Sequence, residues 1–269
     1  MRPRSSGCLV NSKLFTFFAC GLILTAAAFA DPVSFVPVAS GPLGVTSKAY
    51  GPITAYGFYY TGTESSAGAL SGGNWAAANL WGRNEGSTDQ GLGICNPNEG
   101  TNCGTAPFSG GGDYNEVSNQ TNAEALVLKL TTGVNWISLS LSSLDSNGGT
   151  APVERGLLYA TNTFDPANPA SLTTIFAGTP VCKFQSGGGG ASTCGDASAN
   201  PVLTASTLGF TNSRYLIFRA FDWTLAGNKN NDYLVQAAVV TPEPSSIVLL
   251  GTGLLGGIGV VSRRLRLKK

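Results

Sequence analysis

Apolar residues in the middle of the chain come in short runs, and several of these alternate with polar residues. Leu126, Leu128 and Leu130 fall on one side of residues 125–130. Ile137, Leu139 and Leu141 alternate with Ser138, Ser140 and Ser142. A period of two marks a strand that buries one face. Residues 53–60 are rich in aromatic and β-branched side chains and predict another strand, as do 156–160, 173–177, 215–221 and 233–240. Turn-forming clusters separate most of these runs: Asn147-Gly148-Gly149, Asp165-Pro166 and residues 227–232. Helical periodicity is weak. Only residues 76–80, between Trp75 and Trp81, predict a helical turn. Residues 31–51, with many Val, Pro and Ser, predict an extended arm or a first edge strand. The pattern predicts an all-β domain, an antiparallel β-sandwich of jelly-roll-like form, with a β-barrel as the rival.

The two ends of the chain break this pattern. Residues 1–30 read as a secretory leader. Arg2, Arg4 and Lys13 precede an apolar run from Leu14 to about Phe29, and Ala28-Phe29-Ala30 is a small-x-small cleavage site before Asp31. The run is shorter than the ~20 residues that span a bilayer, which favours a cleaved leader helix over a retained anchor. Cys20 lacks the preceding Leu of a lipoprotein signal. At the other end, Pro242-Glu243-Pro244 is stiff and extended. Residues 246–262 form an uncharged run of 17, SIVLLGTGLLGGIGVVS, and the basic stretch 263–269 closes the chain. The run predicts a transmembrane helix, with Arg263 and Arg264 at its cytoplasmic end. The implied organisation is a leader over 1–30, an exported domain over 31–241 and a tail over 242–269.

That tail resembles the PEP-CTERM sorting signal: Pro-Glu-Pro, a glycine-rich apolar helix, then an arginine-rich end. The resemblance covers the last 28 residues. It implies recognition by an exosortase, a membrane transpeptidase-like enzyme, with Pro242, Glu243 and Pro244 as recognition residues and Arg263 and Arg264 as stop-transfer residues. The implied route is Sec-dependent export to the cell envelope, surface or extracellular matrix of a bacterium, with the carboxy-terminal helix holding the membrane before processing. The middle of the chain more loosely resembles the β-sandwich ectodomains of such proteins. Gly91-Leu92-Gly93-Ile94, the polar stretch 116–124 leading into 125–130, and Asn231-Asp232-Tyr233 carry that likeness. It implies architecture more than activity.

Charge sharpens this division. The whole chain is +1. Most of the surplus positive charge sits in the two ends, leaving 8 basic and 14 acidic residues over 31–241, a net of −6. Such a domain repels phosphate backbones, which argues against nucleic acid as a partner. There is no histidine. This removes Ser-His-Asp and Cys-His catalysis and the usual catalytic zinc sites. Beyond Cys8 and Cys20 in the leader, four cysteines remain. In an exported chain they predict disulfides, with Cys95–Cys103 and Cys182–Cys194 favoured because each closes one short polar loop. The wide spacings and absence of any CxxC argue against a four-cysteine metal site.

Candidate chemistry is sparse. Asp113, Glu116, Asn119 and Glu124 form the densest polar constellation, and oxygen ligands at such spacings suit a structural Ca²⁺ ion. The plainer reading, a solvated acidic loop, carries more weight, and no other cofactor is implied. Glu116, Glu124, Glu154 and Asp222 are the acids that could pair for glycoside hydrolysis without histidine. The aromatics Tyr56, Phe58, Tyr59, Tyr60, Trp75 and Trp81 could form a carbohydrate-binding face, but core packing explains them more simply. Neither glycine-rich loop, 110–112 or 187–190, continues as a phosphate loop. The favoured reading is a non-enzymatic surface or matrix protein, acting in adhesion, biofilm structure or contact with extracellular polysaccharide. A secreted carbohydrate-active enzyme is the alternative.

Overall fold

The structure, a computed structural model, describes residues 30–65, 68–86, 88–98, 115–119, 122–144, 154–186, 192–194, 200–221 and 231–242. The predicted leader helix and the predicted transmembrane helix over 246–262 lie outside these residues. Among the described residues no helix is long and apolar enough to cross a membrane.

Among the described residues, fifteen strands and two short helices follow in chain order. They are β1 (Asp31–Ser34), β2 (Gly41–Pro42), β3 (Ser47–Tyr50), β4 (Ile53–Tyr60), β5 (Thr63–Glu64), β6 (Leu70–Ser71), β7 (Trp75–Asn84) and β8 (Gln90–Cys95). Then come β9 (Glu124–Leu130), β10 (Val134–Ser142), β11 (Arg155–Thr161), α1 (Ser171–Phe176), β12 (Cys182–Gln185), β13 (Val202–Thr204), α2 (Ala205–Leu208), β14 (Tyr215–Ala220) and β15 (Leu234–Pro242). Strands β5 and β6 pair only with each other. The rest form one curled sheet along the path β12-β11-β14-β9-β4-β7-β8-β15-β10-β13, with β1 on β15, β2 on β7 and β3 on β4.

The curl occurs at β7. Its first residues, Trp75 to Ala78, pair antiparallel with β4, and Asn79 to Asn84 pair antiparallel with β8. One long strand therefore belongs to both layers of the sandwich and turns the corner between them. Leu126, Leu128 and Leu130 of β9 meet Leu139 and Leu141 of β10 in the inter-layer core, as the two-residue alternation predicts. The alternation slips by one in β10. Trp136 occupies the core, its indole N–H donating to the Ser213 carbonyl at 2.7 Å, and Ile137 is only partly buried.

The layer built on β4, β9, β14 and β11 is covered on its other face too. Phe58, Ala125, Val127, Leu157, Tyr159 and Ile217 form a second apolar cluster with Phe164 and Leu172. Of residues 173–177, expected as a strand, 173–176 belong instead to α1 and Ala177 is its C-cap. Leu172, Ile175 and Phe176 all pack on this cluster, and their spacing fits one face of a helical turn better than alternate sides of a strand. Residues 76–80 are corrected in the opposite sense. Alanine favours helix locally, but pairing to β4 and β8 makes them strand, with Ala78 and Leu80 inward. Residues 31–51, expected as an extended arm or a first edge strand, form three short strands. Of the aromatics considered for a binding face, Phe58, Tyr60, Trp75 and Trp81 are buried.

Candidate functional site

Glu116, Asn119, Glu124 and Glu154, four of the polar residues predicted to carry chemistry, are buried, and the first three lie on or beside residues 115–119. This segment is not a strand, yet it is buried, so its backbone groups need partners. The Val117 N–H donates to Tyr233 O at 2.9 Å, and Asn119 N–H to Asn231 O at 3.2 Å. Ile94 N–H donates to Glu116 O at 3.3 Å. The segment thus threads between β8 and residues 231–233. Gly93 permits this, because a Cβ there would run into the backbone of Asn115 and Glu116.

Glu116 is fully buried. Its carboxylate pairs with the Arg83 guanidinium and accepts the Ser143 hydroxyl at 2.7 Å. Arg83 also pairs with Asp89 at 2.8 Å and Glu85 at 3.5 Å. Ser143 has φ of 62°, the left-handed region, and among the described residues no other non-glycine residue does. That conformation costs of order 1 kcal/mol and is held by the Ser143 N–H bond to Thr88 O at 2.9 Å and by the hydroxyl on Glu116.

Glu124 accepts the Ser118 N–H at 2.9 Å. Asn119 Oδ1 accepts the Asn231 N–H at 3.2 Å, and Asn231 Oδ1 accepts the Arg155 N–H at 3.1 Å. Tyr233 stands beside this chain, its ring edge-on to Phe184 with centroids 4.9 Å apart. Burial, and secondarily the Glu124 charge, push the Tyr233 phenol well above its ordinary pKa. Gly156 leaves room for both rings.

Three of the four predicted calcium ligands, Glu116, Asn119 and Glu124, are therefore all interior, with oxygens bonded to protein groups. Asp113 lies outside the described residues. Among the described residues no three Asp, Glu or Cys side chains group to hold a metal ion. Of the acids considered for glycoside hydrolysis, Glu116, Glu124 and Glu154 are buried. Asp222 lies outside the described residues.

A second charged centre escaped the sequence reading. Arg219 of β14 is buried on the outer face of its layer, paired with Glu64 of β5 and donating to Gly68 O at 2.9 Å. Its guanidinium lies 5.0 Å from the Phe176 ring centroid and 5.3 Å from that of Phe221. A lone arginine within the apolar run Tyr215 to Phe221 was the available signal, since a charge on a two-faced buried strand requires a partner.

Cys182 and Cys194 form a disulfide with Cα atoms 5.1 Å apart, the predicted pair. Cys95 is disulfide-bonded as well, and its predicted partner Cys103 lies outside the described residues. Ala30 is exposed, and Asp31 opens β1. Pro242 is the last residue of β15. Ala28, Glu243, Pro244, Arg263 and Arg264 lie outside the described residues.

No curated protein matches the chain. Residues 240–264 match the PEP-CTERM protein-sorting motif. The motif follows directly on the last strand of a mostly antiparallel β-domain and implies processing by an exosortase. The chain thus carries a PEP-CTERM protein-sorting motif at its carboxy-terminal end, the mark of a protein exported to the bacterial cell envelope.

Proposed function

We propose that the exported domain is a non-catalytic element of the cell surface or extracellular matrix, serving structure, adhesion or contact with extracellular polysaccharide, as in a biofilm. It uses no cofactor in this reading. The observation that carries it is the placement of the acids. Glu116, Glu124 and Glu154 are interior, and the first two hold backbone and side-chain partners. A glycosidase needs its carboxylates on either side of an accessible glycosidic bond. The charged groups here are spent on cohesion instead.

Export in this reading begins at the Sec translocon, with the leader removed between Ala30 and Asp31. The ordered ladder beginning at Asp31 supports that cut. The test is to recover the exported protein from its host and titrate it against a panel of bacterial exopolysaccharides. Saturable binding without sugar release supports the proposal. Release of reducing sugar, abolished by Glu124→Gln, overturns it in favour of a carbohydrate-active enzyme.

A further inference from the structure

The two ends of the domain meet on one pair of strands. Strand β1 lies antiparallel on β15 in the register Asp31 to Val240, Pro32 to Val239, Val33 to Ala238 and Ser34 to Ala237. The Phe35 N–H extends the ladder to Gln236 O at 3.0 Å. Antiparallel pairs alternate between hydrogen-bonded and non-bonded. Phe35–Gln236 is a bonded pair, so Val33–Ala238 and Asp31–Val240 are bonded pairs too. Pro32 then falls opposite Val239 in a non-bonded pair, where its missing N–H costs the ladder nothing. It also denies a donor to any strand that might add to the outer edge of β1.

The two strands differ in how firmly they are held. Val235, Ala238 and Val240 of β15 are core residues. In β1, Asp31, Pro32 and Ser34 are exposed and Val33 is half-buried. The buried anchor comes just after it: Phe35, edge-on to Tyr50 at 5.1 Å. Strand β1 is therefore a light element lying on a firm one. Val240, the last residue of β15 in register with β1, precedes Pro242 by two positions, about 7 Å of extended chain. No spacer separates the ladder from the sorting motif.

We infer that β1 is a clamp on the sorting tail: it occupies the backbone edge of residues 237–240, which a processing enzyme must engage as extended chain to reach the Pro-Glu-Pro. Enzymes and modules that take extended peptides use that same main-chain edge. Strand β1 and the exosortase then compete for it, and release of β1 governs how fast the tail is processed. This inference rests on the reading above, that the leader ends at Ala30 and the tail is an exosortase substrate.

The experiment follows the full-length precursor in its exosortase-bearing host by pulse-chase, reading the loss of the apolar tail by mass. Val33→Pro removes a bonded donor from β1, and tail processing is expected to quicken about fivefold, the equivalent of one net hydrogen bond. Pro32→Ala sits at a non-bonded position and should process at the native rate. The pair Pro32→Cys with Val239→Cys, about 4.5 Å apart at Cα, suits a disulfide. This lock should slow processing, and reductant should restore it, relative to the native chain treated alike. Resistance of the Val33→Pro domain to added protease separates a freed strand from a misfolded domain. If that domain is protease-sensitive, the disulfide lock decides. A locked chain processed at the native rate overturns the clamp while leaving the sorting reading intact. A native chain that keeps Lys269 after export overturns the sorting reading and the clamp together.

Discussion

Arg83 and Arg219 each hold a carboxylate, but they do so in different surroundings. The Arg83 side chain is 15% exposed and shares three acids, Glu85, Asp89 and Glu116. Arg219 is 3% exposed, has Glu64 as its ion-pair partner and stands near two phenyl rings. The first is a network with alternatives, partly screened by water. The second is a dry pair in which each charge depends on the other. The wet network fixes the buried loop 115–119 against β7 and β8. The dry pair pins the β5–β6 hairpin to the outer face of the sheet. Charge here organises loops on a scaffold that apolar strands have already built.

The comparison can be broken most directly at Arg219. Arg219→Met removes the guanidinium that pairs with buried Glu64 and should cost about 3–5 kcal/mol in urea unfolding of the exported protein. Adding Glu64→Leu should recover most of that loss. A cost below about 1 kcal/mol for the single change would place Arg219 in the same class as a wet pair. Glu116→Gln should cost less, about 1–2 kcal/mol, because Arg83 retains Asp89 and the amide can still accept from Ser143. If it costs as much as Arg219→Met, the wet network has no useful redundancy.

Alkaline pH tests the packing through its phenols. Burial raises the phenol pKa of Tyr50 to about 12, and burial likewise raises Tyr159 and Tyr233. An acid whose pKa is higher folded than unfolded contributes its stability in full below the unfolded value near 10. That stability is lost as pH rises from there through the folded value. The melting temperature should hold to about pH 9.5 and fall steeply above pH 10. A flat profile to pH 12 would mean these phenols titrate as freely as in the unfolded chain. The smallest expected effect is that of calcium. With Glu116, Asn119 and Glu124 bonded to protein groups, millimolar Ca²⁺ should leave the melting temperature unchanged. A rise would show that the ion displaces Arg83 and would return these oxygens to the role of ligands.

Much of the layout was legible because period-two patterning and turn chemistry are local. The Leu126, Leu128 and Leu130 stripe and the 53–60 strand could be read directly, as could the Cys182–Cys194 pair across one glycine-rich loop. Residues 173–177 misled because their β-branched side chains fit strand locally, whereas the outer apolar face rewards a helical turn placing Leu172, Ile175 and Phe176 together. Residues 76–80 misled the other way, since nothing local reveals that β4 and β8 wait on either half of β7. The acidic stretch 113–124 looked solvated because its composition is that of a loop. The burial of residues 115–119 depends on Gly93 and residues 231–233, remote in sequence.

The sequence by itself determined the destination. A Pro-Glu-Pro, an apolar run and a basic end are contiguous chemistry, legible without any fold because sorting machinery reads them as linear segments. It also determined that the domain would be antiparallel β, because alternation of side chains is a property of each strand alone. Tertiary structure decided which face each polar residue met. It turned Glu116 from a candidate ligand into the partner of Arg83 and gave the unregarded Arg219 a buried acid. It also laid the first described strand along the last, beside the motif that directs sorting. Those outcomes depend on pairings across 33, 155 and about 200 residues of chain, and no local pattern specifies contacts at such range.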